Sequence, residues 1–468
     1  MKKGKQVIPS VFWKVVVFSI LGMLLVNGGT EVSAATPKVS KIRWSNVKTK
    51  RTMYATTSKK FTVKITPTKA KTRKLQWYSS NKKVATVTQA GTVKALKSGT
   101  ATITCRIKTQ KTKKVQCKVT VKKKKVTSVK FSSGTPAVQI GKTYTKKPTI
   151  SPSYAYDKRV SYKSSNTKIA TVNSSGTVTG KSEGTVTITA IAKDGSKKKS
   201  SYKIRVIGKI TNQSVKFVAH RGLSSQAPEN TVKAYELAGL AGFWGAETDV
   251  RMTKDGKFIL MHDATLKRMC GVNCRPEDMT YNEVCAAKIK TGNNYTKYKN
   301  DKDATTIPSL EKYLETCKNY NMVPIIEIKM EYTGDGRAKT RSTMQDIVDE
   351  DMKKLYSETK AIMGSKQYMF IAFDFNTMDR MRKVLKLDNA TNVSLQHVTN
   401  DPDAGMANYY REKNIALDTN YQKITNDGIK KFKNAGVAVN VWTVDDQAKV
   451  WDYIKEKVDY ITTNTKFW

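Results

Sequence analysis

Acidic residues are nearly missing from the first half of this chain. Residues 35–214 hold 43 Lys and Arg but only three acids, Asp157, Glu183 and Asp194. Residues 215–468 are close to balanced, with 38 basic and 34 acidic residues. Most of the formal charge of +47 therefore sits in one segment. A polycation of this kind is expected to meet a polyanion: nucleic acid, an anionic membrane surface or an anionic cell-wall polymer. Long apolar runs are scarce too. One stands out, the 12 residues Val15–Val26. A membrane span needs about 20, so a multispan membrane protein is excluded. Histidine is rarer still, with only His220, His262 and His397. Cys270, Cys274, Cys285 and Cys317 lack the second C-x-x-C or the nearby His of a zinc site.

Ahead of the apolar run Met1–Lys5 is basic, and Val32-Ser33-Ala34 supplies small residues after it. This is the pattern of a secretory signal peptide, expected to be cut after Ala34. The protein is then expected to be secreted and associated with the cell surface or wall. That context removes nucleic acid from the partners and leaves no stable membrane span. No L-P-x-T-G sorting signal occurs near the C-terminus, so attachment is expected to be non-covalent.

Two segments match at an offset of 85 residues. Ser79-Ser80-Asn81 recurs as Ser164-Ser165-Asn166, Val84–Val87 as Ile169–Val172, and Gly91-Thr92-Val93 as Gly176-Thr177-Val178. Ser98–Thr104 recurs as Glu183–Thr189. Apolar and polar residues alternate with period 2, broken by Gly, Ser and Asn, which predicts short strands and turns. Two tandem β-sandwiches follow, over 35–123 and 124–208. The repeats resemble the bacterial immunoglobulin-like domain, group 2, which implies spacer or adhesive modules. A passive spacer needs no such charge, so binding to teichoic or lipoteichoic acid is the competing expectation. Cys105 and Cys117 sit symmetrically about residue 111 and are absent together from the second copy, which predicts a cross-strand disulfide. Cys270 and Cys274 are a second, smaller candidate pair.

From Val215 short apolar strands alternate with amphipathic stretches such as Leu310–Tyr320 and Ser342–Tyr356. Nine strands are expected between Val215–His220 and Tyr460–Thr463. This alternation over 215–468 predicts a (β/α)8 barrel with its site at the C-terminal ends of the strands. Those ends carry His220-Arg221-Gly222, Glu247-x-Asp249, His262-Asp263, Glu327-Ile328-Lys329 and Trp442-Thr443. Strand residues two apart share a face, so Glu247 and Asp249 point into one mouth, and so do Glu327 and Lys329. Three carboxylates there repel one another unless a cation sits among them, and an all-oxygen set selects Mg²⁺ or Ca²⁺. His220 and His262 can serve as general base and general acid. Arg221 and Lys329 suit a phosphate. His397 ends a strand without such company and is expected to be structural or substrate-lining.

Together His220–Thr231 (HRGLSSQAPENT), Glu247–Asp249, Met261–Asp263, Ile307–Glu311, Glu327–Lys329 and Val441–Val444 resemble the glycerophosphodiester phosphodiesterase family. The resemblance implies a barrel, an acid/base pair at His220 and His262, and a metal held by Glu247, Asp249 and Glu327. It also implies phosphate contacts from Arg221 and Lys329. Glu229 and Asn230 match its E-N-T signature, and Trp442 is a further pocket candidate. Met269–Lys302 corresponds to its variable substrate-shaping insertion. The expected reaction releases glycerol 3-phosphate and an alcohol from a glycerophosphodiester. Our reading makes His220 the base and His262 the acid. The nucleophile is either water or the substrate's own glycerol 2-hydroxyl. The substrate is either a small headgroup diester or polymeric glycerophosphate. Two alternatives remain. One is an inactive wall-binding or adhesive protein. The other is an activity on intact phospholipid, for which Phe243-Trp244 is the candidate apolar loop at the mouth.

Overall fold

The computed structural model describes residues 38–468 except 69, 71–73, 330–340 and 388–390, with backbone alone for 341–348. The expected leader, residues 1–34, lies outside the described residues. Among those described, no helix is long and apolar enough to cross a membrane. The chain divides into two compact units. One runs to Lys125 and takes in Tyr154–Tyr156; the other holds Val126–Ser153 and Asp157–Trp468.

The first unit is an Ig-like sandwich. Period-2 alternation builds it: along Gly99–Ile107 the side chains of Ala101, Ile103, Cys105 and Ile107 are buried, while those between them lean outward. They pack on Trp77 and Val119 of neighbouring strands and on Phe61, which lies between two strands. A fully buried side chain such as Ile103 contributes about 1.5–3 kcal/mol relative to an exposed one. The lysines take the outward positions, as at Lys114, Lys118 and Lys122 of strand Lys114–Lys122. Water can solvate the charge there without disturbing the core. The repeated Gly-Thr-Val has a steric cause. Gly91 and Gly176 both have φ +83, and a Cβ would stand 2.7 Å from the Trp77 ring or the Tyr162 ring.

The expected Cys105–Cys117 bridge is not formed. Both thiols are free and buried. The hairpin is centred one position earlier than the symmetry argument assumed, pairing Cys105 with Val115 and Ile103 with Cys117. The two cysteines are therefore diagonal neighbours instead of opposite ones. Burial pushes the Cys105 thiol up to about 12. Cys270 and Cys274 are also free, one buried and one exposed.

The second unit joins the second Ig-like domain to the barrel. The sheet order of the first domain recurs: Ala137–Gln139, Lys199–Ile207, Gly184–Ala192 and Val160–Ser164 form a four-stranded sheet. Ala137 and Ile207 of this sheet, and Ile210 just after it, belong to the same buried cluster as the barrel residues Phe217, Val441 and Ile461.

Eight parallel strands close the barrel: β1 (Lys216–Ala219), β2 (Gly245–Met252), β4 (Val323–Ile328), β5 (Tyr368–Ala372), β6 (Val393–Thr399), β7 (Ile415–Asn420), β8 (Val439–Trp442) and β9 (Tyr460–Thr463). The remaining strand, β3 (Phe258–Leu260), pairs antiparallel with the end of β2. Pairing of β1 with both β2 and β9 completes the ring. Phe243 is buried against Trp468, and Trp244 lies just before β2. Both are at the end of the barrel opposite the strand C-termini, so they form no apolar loop at the mouth. Among the described residues, Phe373, directly after β5, is a large apolar side chain exposed at the mouth.

Candidate functional site

The first strand delivers His220 and Arg221 to the mouth and then turns sharply. Gly222 has φ +77, and a Cβ would meet the helix Val232–Ala241 at 2.7 Å from Ala234. Glycine is therefore required where the loop crosses that helix. The E-N-T letters divide the work after the turn. Glu229 accepts from Arg221 Nη1 at 2.9 Å. Asn230 donates through Nδ2 to Asp249 Oδ2 at 2.7 Å. Thr231 caps the helix by accepting from Ala234 N.

Glu247 and Asp249 project from β2, and the register places Asp249 opposite Glu327 of β4. One oxygen from each of the three carboxylates lies within 4.8 Å of the others, and all three residues are buried. Glu247 Oε2 accepts from the Arg221 backbone N–H at 2.8 Å, while its Oε1 has no hydrogen-bond partner among the described residues. Lys329 Nζ reaches Glu327 Oε1 at 2.5 Å and Asp249 Oδ1 at 3.6 Å. Arg221 Nε stands 3.3 Å from Asp249 Oδ2.

The electrostatics follow from this packing. Burial, then the charges of Asp249 and Glu327, hold the Glu247 carboxyl well above the usual range. Burial and the charge of Asp249 push Glu327 up to about 7 against the pull of Lys329. Burial acts the same way on Asp249, but Arg221 and Lys329 outweigh it and keep Asp249 below the ordinary carboxylate range. Crowded buried carboxyls with an open oxygen fit a hard divalent cation, which would replace the missing solvation.

The two histidines have different partners. His220 Nδ1 lies 2.9 Å from Asn464 Oδ1, a neutral amide oxygen. Asn464 is itself held: its Nδ2 and backbone N donate to Asp445 at 2.6 and 2.8 Å. Burial first, and the nearby Arg221 second, lower His220 to about 4. His262 Nδ1 instead lies 2.9 Å from the carboxylate of Asp263. Arg268 donates to both oxygens of Asp263, at 2.6 and 3.0 Å, and reaches Glu229 at 2.6 Å. An ion-pair chain thus runs from the His262 loop to Arg221.

All ten expected site residues lie at the strand C-terminal end of the barrel or in its loops. The histidines, Arg221, Lys329 and the three carboxylates converge, with Glu229 and Asn230 behind them. Trp442 ends β8 with its ring edge-on to Phe373 at 5.9 Å, and Lys329 Nζ lies 5.3 Å over the same Phe373 ring. His397 is apart from the carboxylates. Its Nε2 meets the Phe373 carbonyl at 3.0 Å and its Nδ1 the Tyr410 hydroxyl. Sequence reasoning gave no role to Asp263, Arg268, Phe373, Asp445 or Asn464. Asp263 and Arg268 carried a signal beside the His262 motif. Asn464 carried none, since its partner is 244 positions away. Asp418, buried in β7, was read only as a strand end; burial and then the charge of Glu327 push it up to about 8.

Two family models match the chain. The glycerophosphoryl diester phosphodiesterase family covers residues 220–465. The bacterial Ig-like domain (group 2) covers 45–119 and 125–202. The chain is 39% identical over 178 residues to a glycerophosphodiester phosphodiesterase of Bacillus altitudinis, covering 37% of this chain and 67% of that protein. It is 29% identical over 259 residues to one from Caldanaerobacter subterraneus, covering 53% of this chain and 93% of that protein. Among solved structures it is similar to an Oleispira antarctica phosphodiesterase in complex with the product sn-glycerol 3-phosphate. That match has a TM-score of 0.45 and 20% identity, covering 54% of this chain and 93% of the other.

Proposed function

The chain belongs to the glycerophosphoryl diester phosphodiesterase family, and on that premise we propose that it hydrolyses glycerophosphodiesters outside the cell to glycerol 3-phosphate and an alcohol. One observation carries the mechanism: two histidines with unlike Nδ1 partners flank one buried carboxylate cluster. Glu247, Asp249 and Glu327 would hold Mg²⁺ or Ca²⁺, which when bound supplies positive charge for the developing phosphorane oxygens. Arg221 and Lys329 face the same cluster and bind the phosphate.

Asn464 Oδ1 accepts the Nδ1 proton of His220, which leaves the Nε2 lone pair free to take a proton from the nucleophile. Asp263 stays ionised, held near 2 chiefly by its hydrogen bond from Arg268. Its carboxylate holds the His262 ring through Nδ1, and His262 is assigned the proton transfer to the leaving alkoxide. Glycerol 3-phosphate release from glycerophosphocholine, followed against pH, tests these roles. With His220 as the base, the acid limb of kcat/KM is expected near pH 4, the folded value of His220. A limb at the ordinary histidine value of 6.5 contradicts the base assignment.

The basic N-terminal modules would bring the enzyme to its substrate. Residues 35–214 carry 43 basic and three acidic residues, and the lysines occupy outward strand positions. Attraction to teichoic or lipoteichoic acid is the natural use of such a surface. It fades with salt, because the Debye length falls from about 10 Å at 0.1 M to about 3 Å at 1 M. Full-length protein is expected to bind isolated walls at low salt and release at high salt. Equal binding to walls stripped of anionic polymer contradicts the electrostatic account.

A further inference from the structure

His220 is held by Asn464, and Asn464 by Asp445. Both holding segments are tied to the second Ig-like domain within three residues. Gln447, two residues past Asp445, donates through Nε2 to the Ala137 carbonyl at 2.7 Å. Gln139 donates through Nε2 to the carbonyl of Phe467, three residues past Asn464, also at 2.7 Å. The Gln139 side chain is buried, and its Oε1 accepts from Ile210 N at 3.0 Å, so both ends of the amide are used. Both ties involve one short strand, Ala137–Gln139.

The surrounding contacts press the same surfaces together. Arg205 places its guanidinium on both oxygens of Asp452, at 3.0 and 2.5 Å. Trp451 lies over Gly208, where a Cβ would come within 2.1 Å of the indole. The Trp451 Nε1–H reaches Glu183 Oε2 at 3.2 Å. Asp452 and Trp451 lie on the helix Gln447–Lys455, which begins just after Asp445. A passive spacer needs no buried amide at its junction. A buried, fully satisfied polar contact fixes one register between the parts it joins.

We propose that the second Ig-like domain is a positioning element of the active site, whose strand Ala137–Gln139 holds the Asp445–Asn464 pair and through it the His220 ring. Gln139 and Gln447 are then positioning residues, since they touch neither substrate nor metal. The inference rests on His220 acting in turnover. If His220→Ala retains full activity, that reading fails; if His220 is essential and Gln139 is not, this inference alone fails.

The test uses the full-length protein with Gln139→Leu and, at the other tie, Gln447→Ala. Steady-state kinetics on glycerophosphocholine are measured well below the unfolding midpoint. The expected result is a kcat lowered about tenfold with KM nearly unchanged, within the range of about 10²-fold that a misplacement of about 1 Å can cost. In a His220→Ala background the same substitutions should cost nothing further, because the group they position is gone. A lowered unfolding midpoint with kcat unchanged in both variants overturns the proposal, since it leaves a brace that only stabilises. An equal further loss in the His220→Ala background also overturns it. If Gln139→Leu fails to fold, Gln447→Ala decides, because it leaves the buried Gln139 amide in place.

Discussion

Removal of divalent cations is expected to abolish turnover, and Mg²⁺ or Ca²⁺ to restore it. The reason is the packing of Glu247, Asp249 and Glu327, all buried with their oxygens within 4.8 Å. Arg221 and Lys329 offset part of that charge but leave Glu247 Oε1 without a partner among the described residues. Glu247→Gln keeps the shape and removes one anionic ligand. It is expected to cost at least about 10²-fold in kcat, the scale of losing one preorganised electrostatic group. The same cluster gives a signature that needs no substrate. Burial and then the charge of Asp249 push the Glu327 carboxyl up to about 7, from an ordinary value of 4.5. Its neutral form is the one the fold favours, so metal-free protein loses stability as pH rises between those values. A bound cation favours the ionised form and removes that decline. Thermal unfolding against pH, with and without cation, checks this. Full activity after exhaustive chelation, or identical pH curves, contradicts the metal assignment.

Loss of either histidine is expected to lower turnover of glycerophosphocholine by at least about 10²-fold, the low end for a positioned acid or base. The two losses differ in kind. His262 faces the carboxylate of Asp263, which Arg268 keeps ionised. On this assignment His262 protonates a poor leaving group. A nitrophenyl diester leaves without that help, so His262→Ala should lose much less on it than on glycerophosphocholine. His220→Ala removes the base and should lose about equally on both. Kinetics of the two variants on the two substrates check the pattern. Equal losses for His262→Ala on both substrates would reverse or dissolve the assignment.

Much of this site was legible from short spacings. Glu247 and Asp249 had to share a face because a strand has period 2, and the register with Glu327 completed the cluster. The barrel was legible because its strands are apolar runs regularly separated by amphipathic stretches. What escaped depends on distant partners. Asn464 becomes meaningful only when β9 lies beside β1. The cysteine pairing failed for a similar reason: the turn between Ile107 and Lys114 sets the register, and the alternation of residues does not fix where that turn centres. The second Ig-like domain resembles the first in sequence, so nothing marked it as part of the barrel's unit. Gln139, which ties it to the C-terminal segment, sits in a three-residue strand outside the repeated motifs.

The most direct test is to identify the products formed from glycerophosphocholine by full-length protein supplied with Mg²⁺ or Ca²⁺. Phosphorus NMR distinguishes the two possible cleavages of the diester. The account predicts glycerol 3-phosphate with an equal amount of free choline, and none when either histidine is replaced by Ala. Phosphocholine with free glycerol, or no turnover with either cation, would contradict it.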